Sequence, residues 1–252
     1  MSDGIVVRKC TTLAEFEACV TLQREVWGEE DLEIAPVSEF IVASETGGQV
    51  IGAFDGTRLV GYTLAVVGYR DAVIYIHSHH TGVHHSYRDR GVGRKLKLFQ
   101  RDEALSRDVR LVRWTFDPLE LRNAHFNLNR LGAIAREYKP NLYGITTSPL
   151  HRGLATDRLV AEWHLDSKRA IGAINNLVTE PSTQESGYSL GARIELPAEL
   201  EQWKQANTAA VKSTQDRIRQ EFTDCFNRGY AAVGTQTTPT GSAYLLVPWS
   251  DF

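Results

Sequence analysis

Cysteine is scarce in this chain: three residues in 252, at positions 10, 19 and 225. The number is odd and the spacings fit neither a zinc site nor a disulfide framework, so reduced cytosolic thiols are expected. Long hydrophobic runs are missing too. No stretch approaches the roughly 20 apolar residues of a membrane span. Met1–Lys9 has no charged start followed by an apolar core, so no secretory leader is expected. Neither sign of charge dominates: 28 Lys and Arg stand against 31 Asp and Glu, a formal net charge of −3. That balance argues against a nucleic-acid binder, whose domains are usually strongly basic. What remains is an ordinary globular composition, 42% hydrophobic, with no low-complexity tract. The length suits one large domain, or one domain with an extension.

The periodicities give an order of elements. Ile5–Val7 is a short β-rich run, and Leu13–Trp27 has helical spacing at Leu13, Phe16, Val20 and Val26. A second helix is expected over 38–45. Val50–Phe54 and Leu59–Val67 read as strands joined by an Asp55-Gly56 turn, and Val73–Val83 as a third. Then come a helix over Val92–Ser106, a strand over Val109–Phe116 and a short helix over Arg122–Leu131, ended by Gly132. Ile134–Tyr138 and Arg158–Leu165 read as closing strands. The strand–helix–strand step from 73 to 116 requires a right-handed crossover between parallel strands. Ser167–Gly191, rich in Ser, Gly, Asn and Gln, is expected to loop out. Beyond it, Arg193–Leu196, 230–234 and 243–247 read as strands and Ala198–Asn227 as one long helix.

Between the third strand and the helix after it stands Arg88-Asp89-Arg90-Gly91-Val92-Gly93. The spacing R-x-x-G-x-G builds an anion cradle. Glycines let backbone N–H groups turn inward with no Cβ in the way. The helix that starts there adds its dipole and its unsatisfied N–H groups, and Arg88, Arg90 and Arg94 supply charge for phosphate. The wider basic run, with Lys95, Lys97 and Arg101, would elsewhere read as a solvated helix face.

In this setting the motif resembles the acyl-CoA pyrophosphate loop of the GNAT (GCN5-related N-acetyltransferase) superfamily. The element order is similar to the GNAT fold over about residues 4–166: α/β (α+β), with a mixed central sheet flanked by helices. Residues 1–166 are then the acyl-CoA-binding catalytic domain, and 167–252 a C-terminal strand–helix–strand–strand extension. That order is also the order of the GNAT second half, so a degenerate half-repeat is one reading. Asn141-Leu-Tyr143-Gly144 and Asp157-Arg158 add a nearer resemblance, to a subfamily of predicted acyltransferases with a C-terminal extension. Some of its members are associated with N-acylamino-acid metabolism, where an acyl group such as succinyl goes onto an amino acid's amine.

The resemblance implies an acyl-CoA-dependent N-acyltransferase, with acetyl-CoA or another acyl-CoA as cosubstrate. It implies that the third strand splays from its parallel neighbour and pairs with the pantetheine amides as an added strand would. Val83 takes a backbone contact to the pantetheine. Arg88, Asp89, Arg90, Gly91, Val92, Gly93 and Arg94 take the pyrophosphate. Asn123, with Asn127 one turn on, takes a pantetheine hydrogen bond, although Asn123 also reads as a helix N-cap. The sequence departs from the family at Leu128, where many members place the tyrosine that protonates the departing thiolate. Tyr138, Tyr143 or water are the replacements. His85 stands where a proline is common, a change expected to be structural.

An amine acceptor must lose a proton before it attacks, and histidine suits that task. Tyr75-Ile76-His77-Ser78-His79-His80-Thr81 lies on the central strand. Alternation places Tyr75, His77, His79 and Thr81 on one face, with Ser78 and His80 on the other, unless a bulge near 81–83 shifts the parity. His79 is the favoured base, directly or through water, with Ser78 orienting it; buried structural histidines are the plain alternative. Five histidines between 77 and 85 also raise a metal, but no Cys or carboxylate lies at useful spacing, so none is expected. The acceptor pocket is expected near Trp27, Glu29, Glu30 and Glu33, where an acid could hold an ammonium. Arg158 and Lys139 could instead hold a carboxylate. The expected partners are acyl-CoA and a small-molecule amine, with neither nucleic acid nor membrane; a homodimer is left open. A non-catalytic acyl-CoA-binding module and a protein N-acetyltransferase are the rivals.

Overall fold

A computed structural model describes residues 4–28, 34–144, 153–175, 191–206 and 208–249. They gather into two compact units, one of the described residues up to 114 and one of those from 115 onward.

The first unit runs β1 (Ile5–Lys9), α1 (Leu13–Trp27), α2 (Val37–Glu45), β2 (Gln49–Asp55), β3 (Arg58–Arg70), β4 (Val73–Val83), α3 (Val92–Leu105) and β5 (Leu111–Phe116), at whose Trp114 it ends. The α1 start is written in sequence. Thr12 accepts from the Glu15 N–H at 3.3 Å while the Glu15 carboxylate accepts from the Thr12 N–H at 3.2 Å, a reciprocal cap. Gly28 ends the helix with φ 61°. The strands pair in sequence order, antiparallel throughout except for the parallel step from β4 to β5. Alternation along β2 divides the core. Val50 and Phe54 pack with Phe16, Leu22, Phe40 and Tyr62 on the α1/α2 face. Ile51 and Ala53 pack with Val60, Val92 and Leu96 on the α3 face.

The second unit holds α4 (Leu121–His125), which continues into a π-helical turn over Phe126–Arg130, then β6 (Ile134–Lys139), β7 (Arg158–His164), α5 (Lys168–Ile174), β8 (Ala192–Pro197), α6 (Leu200–Ala206), α7 (Thr208–Asn227), β9 (Tyr230–Thr238) and β10 (Gly241–Pro248). Its strand order is β7-β6-β9-β10-β8. The strands β6 and β7 share a sheet with the C-terminal strands, because β6 pairs with both β7 and β9. One element differs from expectation. The stretch expected to loop out contains α5, which Ser167 caps by accepting from the Ala170 N–H, and which buries Ala170 and Ala173. The expected long C-terminal helix is described on either side of residue 207, as α6 and α7. Strand–helices–strand–strand does recur, but β1 pairs with β2, whereas β8 pairs with β10 and not with β9. Among the described residues, no helix is long and apolar enough to cross a membrane.

Candidate active site

The R-x-x-G-x-G motif occupies the corner between β4 and α3. His85–Tyr87 form a 3-10 turn, and Arg88 is extended. Asp89 and Gly91 then take left-handed dihedrals, φ 63° and 76°. Paired conformations of this kind gather successive N–H groups into an anion-binding concavity. Gly91 is the N-cap of α3, so the first-turn N–H groups of Val92, Gly93 and Arg94 lack intrahelical partners. An added Cβ at Gly91 meets nothing within 4 Å, so its left-handed φ is the reason for glycine there. Arg88 is tied in place: Nε donates to the Val83 carbonyl at 3.3 Å, and a terminal nitrogen donates to the Val26 carbonyl at 3.5 Å. Arg90 lies over the Tyr87 ring, 5.2 Å from its centroid. The Tyr87 hydroxyl in turn donates to Asp55.

The strand pair opens next to this corner. Only Ile76 and His77 of β4 are in register with β5, opposite Val112 and Arg113. Residues 78–83 continue along β3 alone, with Val83 opposite Gly61. Their outer edge carries the backbone groups that an extended ligand could pair with. Gly82 has a steric reason as well, since a Cβ there would stand 3.1 Å from the Trp27 ring.

A β-bulge decides which face the histidines take. Leu64 pairs with His80 and Ala65 with Ser78, which leaves His79 as the extra residue. The bulge lies three residues before the expected place and undoes simple alternation. His79 and His80 stack at 4.0 Å, and His77 stands 6.2 Å from His79. His80 also meets Trp27 at 5.5 Å. Burial pushes His77 down to about 4, helped by His79 and Arg113, and pushes His80 down to about 3. Both are therefore neutral near pH 7, and His80 Nδ1 is buried with no hydrogen-bond partner. His79 is the most open of the three, its side chain 35% exposed, with Nε2 3.8 Å from the Glu39 carboxylate.

Ser78 does not orient His79. It is buried, and its hydroxyl accepts from Lys97 Nζ at 2.7 Å. Lys97, the partner of Ser78, does not stand out in the sequence, because it sits in a basic run that reads as solvated. The structure instead buries Lys97 and Gln100 along with Leu96 and Ala104. Their spacing at 96, 97, 100 and 104 is the signal that could have found them. Glu39, one turn into α2, gave no sequence signal.

The remaining candidates lie in the second unit. Asn123 is inside α4 rather than at its N-cap, which is Glu120. The Asn123 side-chain oxygen accepts from Asn127 Nδ2 at 3.3 Å. Tyr138 is committed: its hydroxyl donates to Asp157 at 2.7 Å, and burial pushes its pKa far up. Tyr143 is half-exposed, its hydroxyl 3.0 Å from that of Thr115 and its ring beneath Arg158. Arg158 also stands 3.9 Å from Asp117, and Lys139 pairs with Glu137. Trp163 is core, donating from Nε1 to the Leu131 carbonyl. Glu29, Glu30 and Glu33 lie outside the described residues. An open groove of about 670 Å³ lined by Arg193, Glu221, Asp224 and Arg228 contains none of the candidates. Among the described residues, no three His, Cys, Asp or Glu converge as metal ligands.

Residues 13–132 match the model of the acetyltransferase (GNAT) family. Residues 13–132 thus carry the GNAT acetyltransferase domain. That match points to an acyl-CoA-dependent N-acetyltransferase, and the fold is the one expected of it. Solved structures are similar to it in fold. The NatC complex bound to Gag peptide and CoA is 13% identical, with a TM-score of 0.52 over 64% of this chain and 98% of that one. The Salmonella typhimurium protein yncA, solved with its cofactor acetyl-CoA, is 15% identical, with a TM-score of 0.52 over 65% and 95%. The ribosomal-protein-S18-alanine N-acetyltransferase from Escherichia coli is 13% identical, with a TM-score of 0.50 over 65% and 95%. No curated protein matches the sequence.

Proposed function

We propose that this GNAT protein moves an acetyl or larger acyl group, succinyl among them, from CoA to the amine of a small molecule such as an amino acid. His79 is the proposed base, directly or through one water. The observation that carries this role is the bulge. It turns His79 out beside the opened strand pair, while burial disables its two neighbours. Glu39, rather than Ser78, is the group placed to orient it and to stabilise the imidazolium that forms. In the proposed reaction the acyl-CoA lies along the free edge of residues 78–83, with its pyrophosphate on residues 88–94. The neutral amine attacks the thioester carbonyl, and CoA leaves. The free, buried Cys10, Cys19 and Cys225 support a reducing, cytoplasmic setting.

The test is release of CoA thiol from acetyl-CoA and succinyl-CoA against D- and L-amino acids, polyamines and a lysine peptide. Release with a small amine supports the reading, and His79→Ala should then lose about 10²-fold in kcat with CoA affinity unchanged. Release with the peptide alone makes it a protein acetyltransferase. CoA binding with no release from any acceptor makes it a non-catalytic sensor.

A further inference from the structure

The buried pair Lys97–Ser78 has no part in the reaction as described above. Ser78 is the first β4 residue beyond the last pair with β5, so it stands where the strands begin to part. Its oxygen accepts from Lys97 Nζ at 2.7 Å. Among the described residues, nothing accepts the hydroxyl's own hydrogen. Lys97 Nζ also donates to Gln100 Oε1 at 3.0 Å and lies 4.3 Å from the centre of the Trp114 ring. No described carboxylate lies within ion-pair distance of it. Glu103, further along α3, is already engaged by Lys9 at 2.6 Å, by Arg107 at 2.6 Å and by Gln49. The other charged or titratable neighbours are His77 on β4 and Arg113 on β5, and neither is an anion near pH 7. A cation sequestered from water without a counter-ion interacts most strongly with negative charge that appears during a reaction.

We propose that Lys97, acting through Ser78, is the proton source for the departing CoA thiolate, the role that the tyrosine absent at position 128 fills in many relatives. The proposal rests on the acyl-transfer reading above. The amine nitrogen forms its bond to the thioester carbonyl carbon, and the C–S bond breaks with its electron pair going to sulfur. Sulfur takes the Ser78 hydroxyl proton, and Ser78 Oγ takes one from the Lys97 ammonium. Lys97 is left as a neutral amine and regains a proton from solvent as products leave. The acceptor's proton departs through His79 to solvent. Burial lowers Lys97 to about 7, which suits a group that must give up a proton and recover it near neutral pH. Lys97 touches no substrate in this scheme and is a positioning and relay residue; Ser78 is the catalytic acid.

The experiment measures kcat and KM for acetyl-CoA from pH 5.5 to 9.5 in the whole protein and its variants. As pH rises through the Lys97 pKa the ammonium is lost, so kcat should fall on the alkaline side. Lys97→Met should lower kcat at least about tenfold, keep KM for acetyl-CoA within about twofold, and abolish the alkaline limb. Lys97→Arg keeps the charge but cannot give up a proton, so it should not restore kcat. Lys97→Met removes the cost of keeping a cation out of water but leaves Ser78 Oγ and Gln100 Oε1 without their donor, so folding is checked first. If Lys97→Met fails to fold, Ser78→Ala must show the same loss and the same flattened limb. Wild-type kcat in folded Lys97→Met or Ser78→Ala overturns the proposal. A variant whose only change is in KM for succinyl-CoA against acetyl-CoA also overturns it and makes Lys97 a sensor of the acyl tail. An inactive wild-type protein removes the acyl-transfer reading and this one together; active wild type with an unaltered variant removes this one alone.

Discussion

The two units share an order of elements, a strand, two helices and two strands, yet they use buried polarity differently. In the first, polar groups are buried and left incomplete. His80 Nδ1 has no partner, Lys97 has no described counter-ion, and the Ser78 hydroxyl hydrogen has no described acceptor. In the second, the buried Asp157 is saturated. It accepts from the Tyr138 hydroxyl, the Asn141 N–H and two nitrogens of Arg219, all within 3.1 Å. Arg169 is an exception there, with Nε unpartnered while another nitrogen donates to the Leu128 and Val233 carbonyls. Buried polar groups are normally satisfied, and each shortfall carries a free-energy cost. Saturated burial holds Asp157 in the second unit, and unsaturated burial in the first coincides with the site proposed above.

That contrast can be broken by mutation. The largest effect is expected in the second unit. Asp157→Ala leaves Tyr138 and Arg219 without their partner and should cost about 3–5 kcal/mol, read from urea unfolding. Dissociation of CoA, followed by calorimetry on protein still folded, should be unchanged. Next comes the cradle: Arg88→Ala should weaken CoA binding by about 1.5–3 kcal/mol, with little effect on folding and a shallower salt dependence. An equal loss of stability and of affinity would place Arg88 with the structural group. Gly91→Ala forces a Cβ into left-handed dihedrals and should cost about 1 kcal/mol in stability, with a measurable loss of CoA affinity. The smallest effect is at the α1 cap. The Arg8 guanidinium, with the Thr11 and Thr12 N–H groups, holds Glu15 down to about 2. A carboxyl so depressed stabilises the fold above its ordinary range near 4, and the contribution is lost as pH falls toward 2. Arg8 is about half exposed, so solvent screening limits the value. Glu15→Gln should lower stability at pH 7 by less than about 1 kcal/mol and flatten the acid side of the profile.

Much of the first unit was legible in the sequence. The α1 and β4 limits coincide with their periodic runs, and the glycine motif falls at the β4–α3 corner, because turns, caps and alternation are local properties. The candidate site was legible only in outline. A histidine-rich strand could be assigned to chemistry, but not the bulge that selects among its members, since a bulge is a property of two strands in register. Lys97 and Glu39 were missed for a related reason: a charge on a helix reads as solvated until the facing element is known. α5 was hidden because it is short and lies in a stretch rich in polar and small residues, so its helix depends on Ser167 and on burial of Ala170 and Ala173.

The sequence by itself determined the family's anion cradle, the order of elements and the absence of a tyrosine at position 128. These follow from spacing along the chain, where φ preferences and helix ends are written in single residues. Only tertiary structure decided that β6 joins the C-terminal strands and that His79 is the most open of His77, His79 and His80. It alone placed Lys97 beneath the point where β4 leaves β5. Each of these depends on which groups are withdrawn from water together, and burial is settled by packing between segments far apart in the chain.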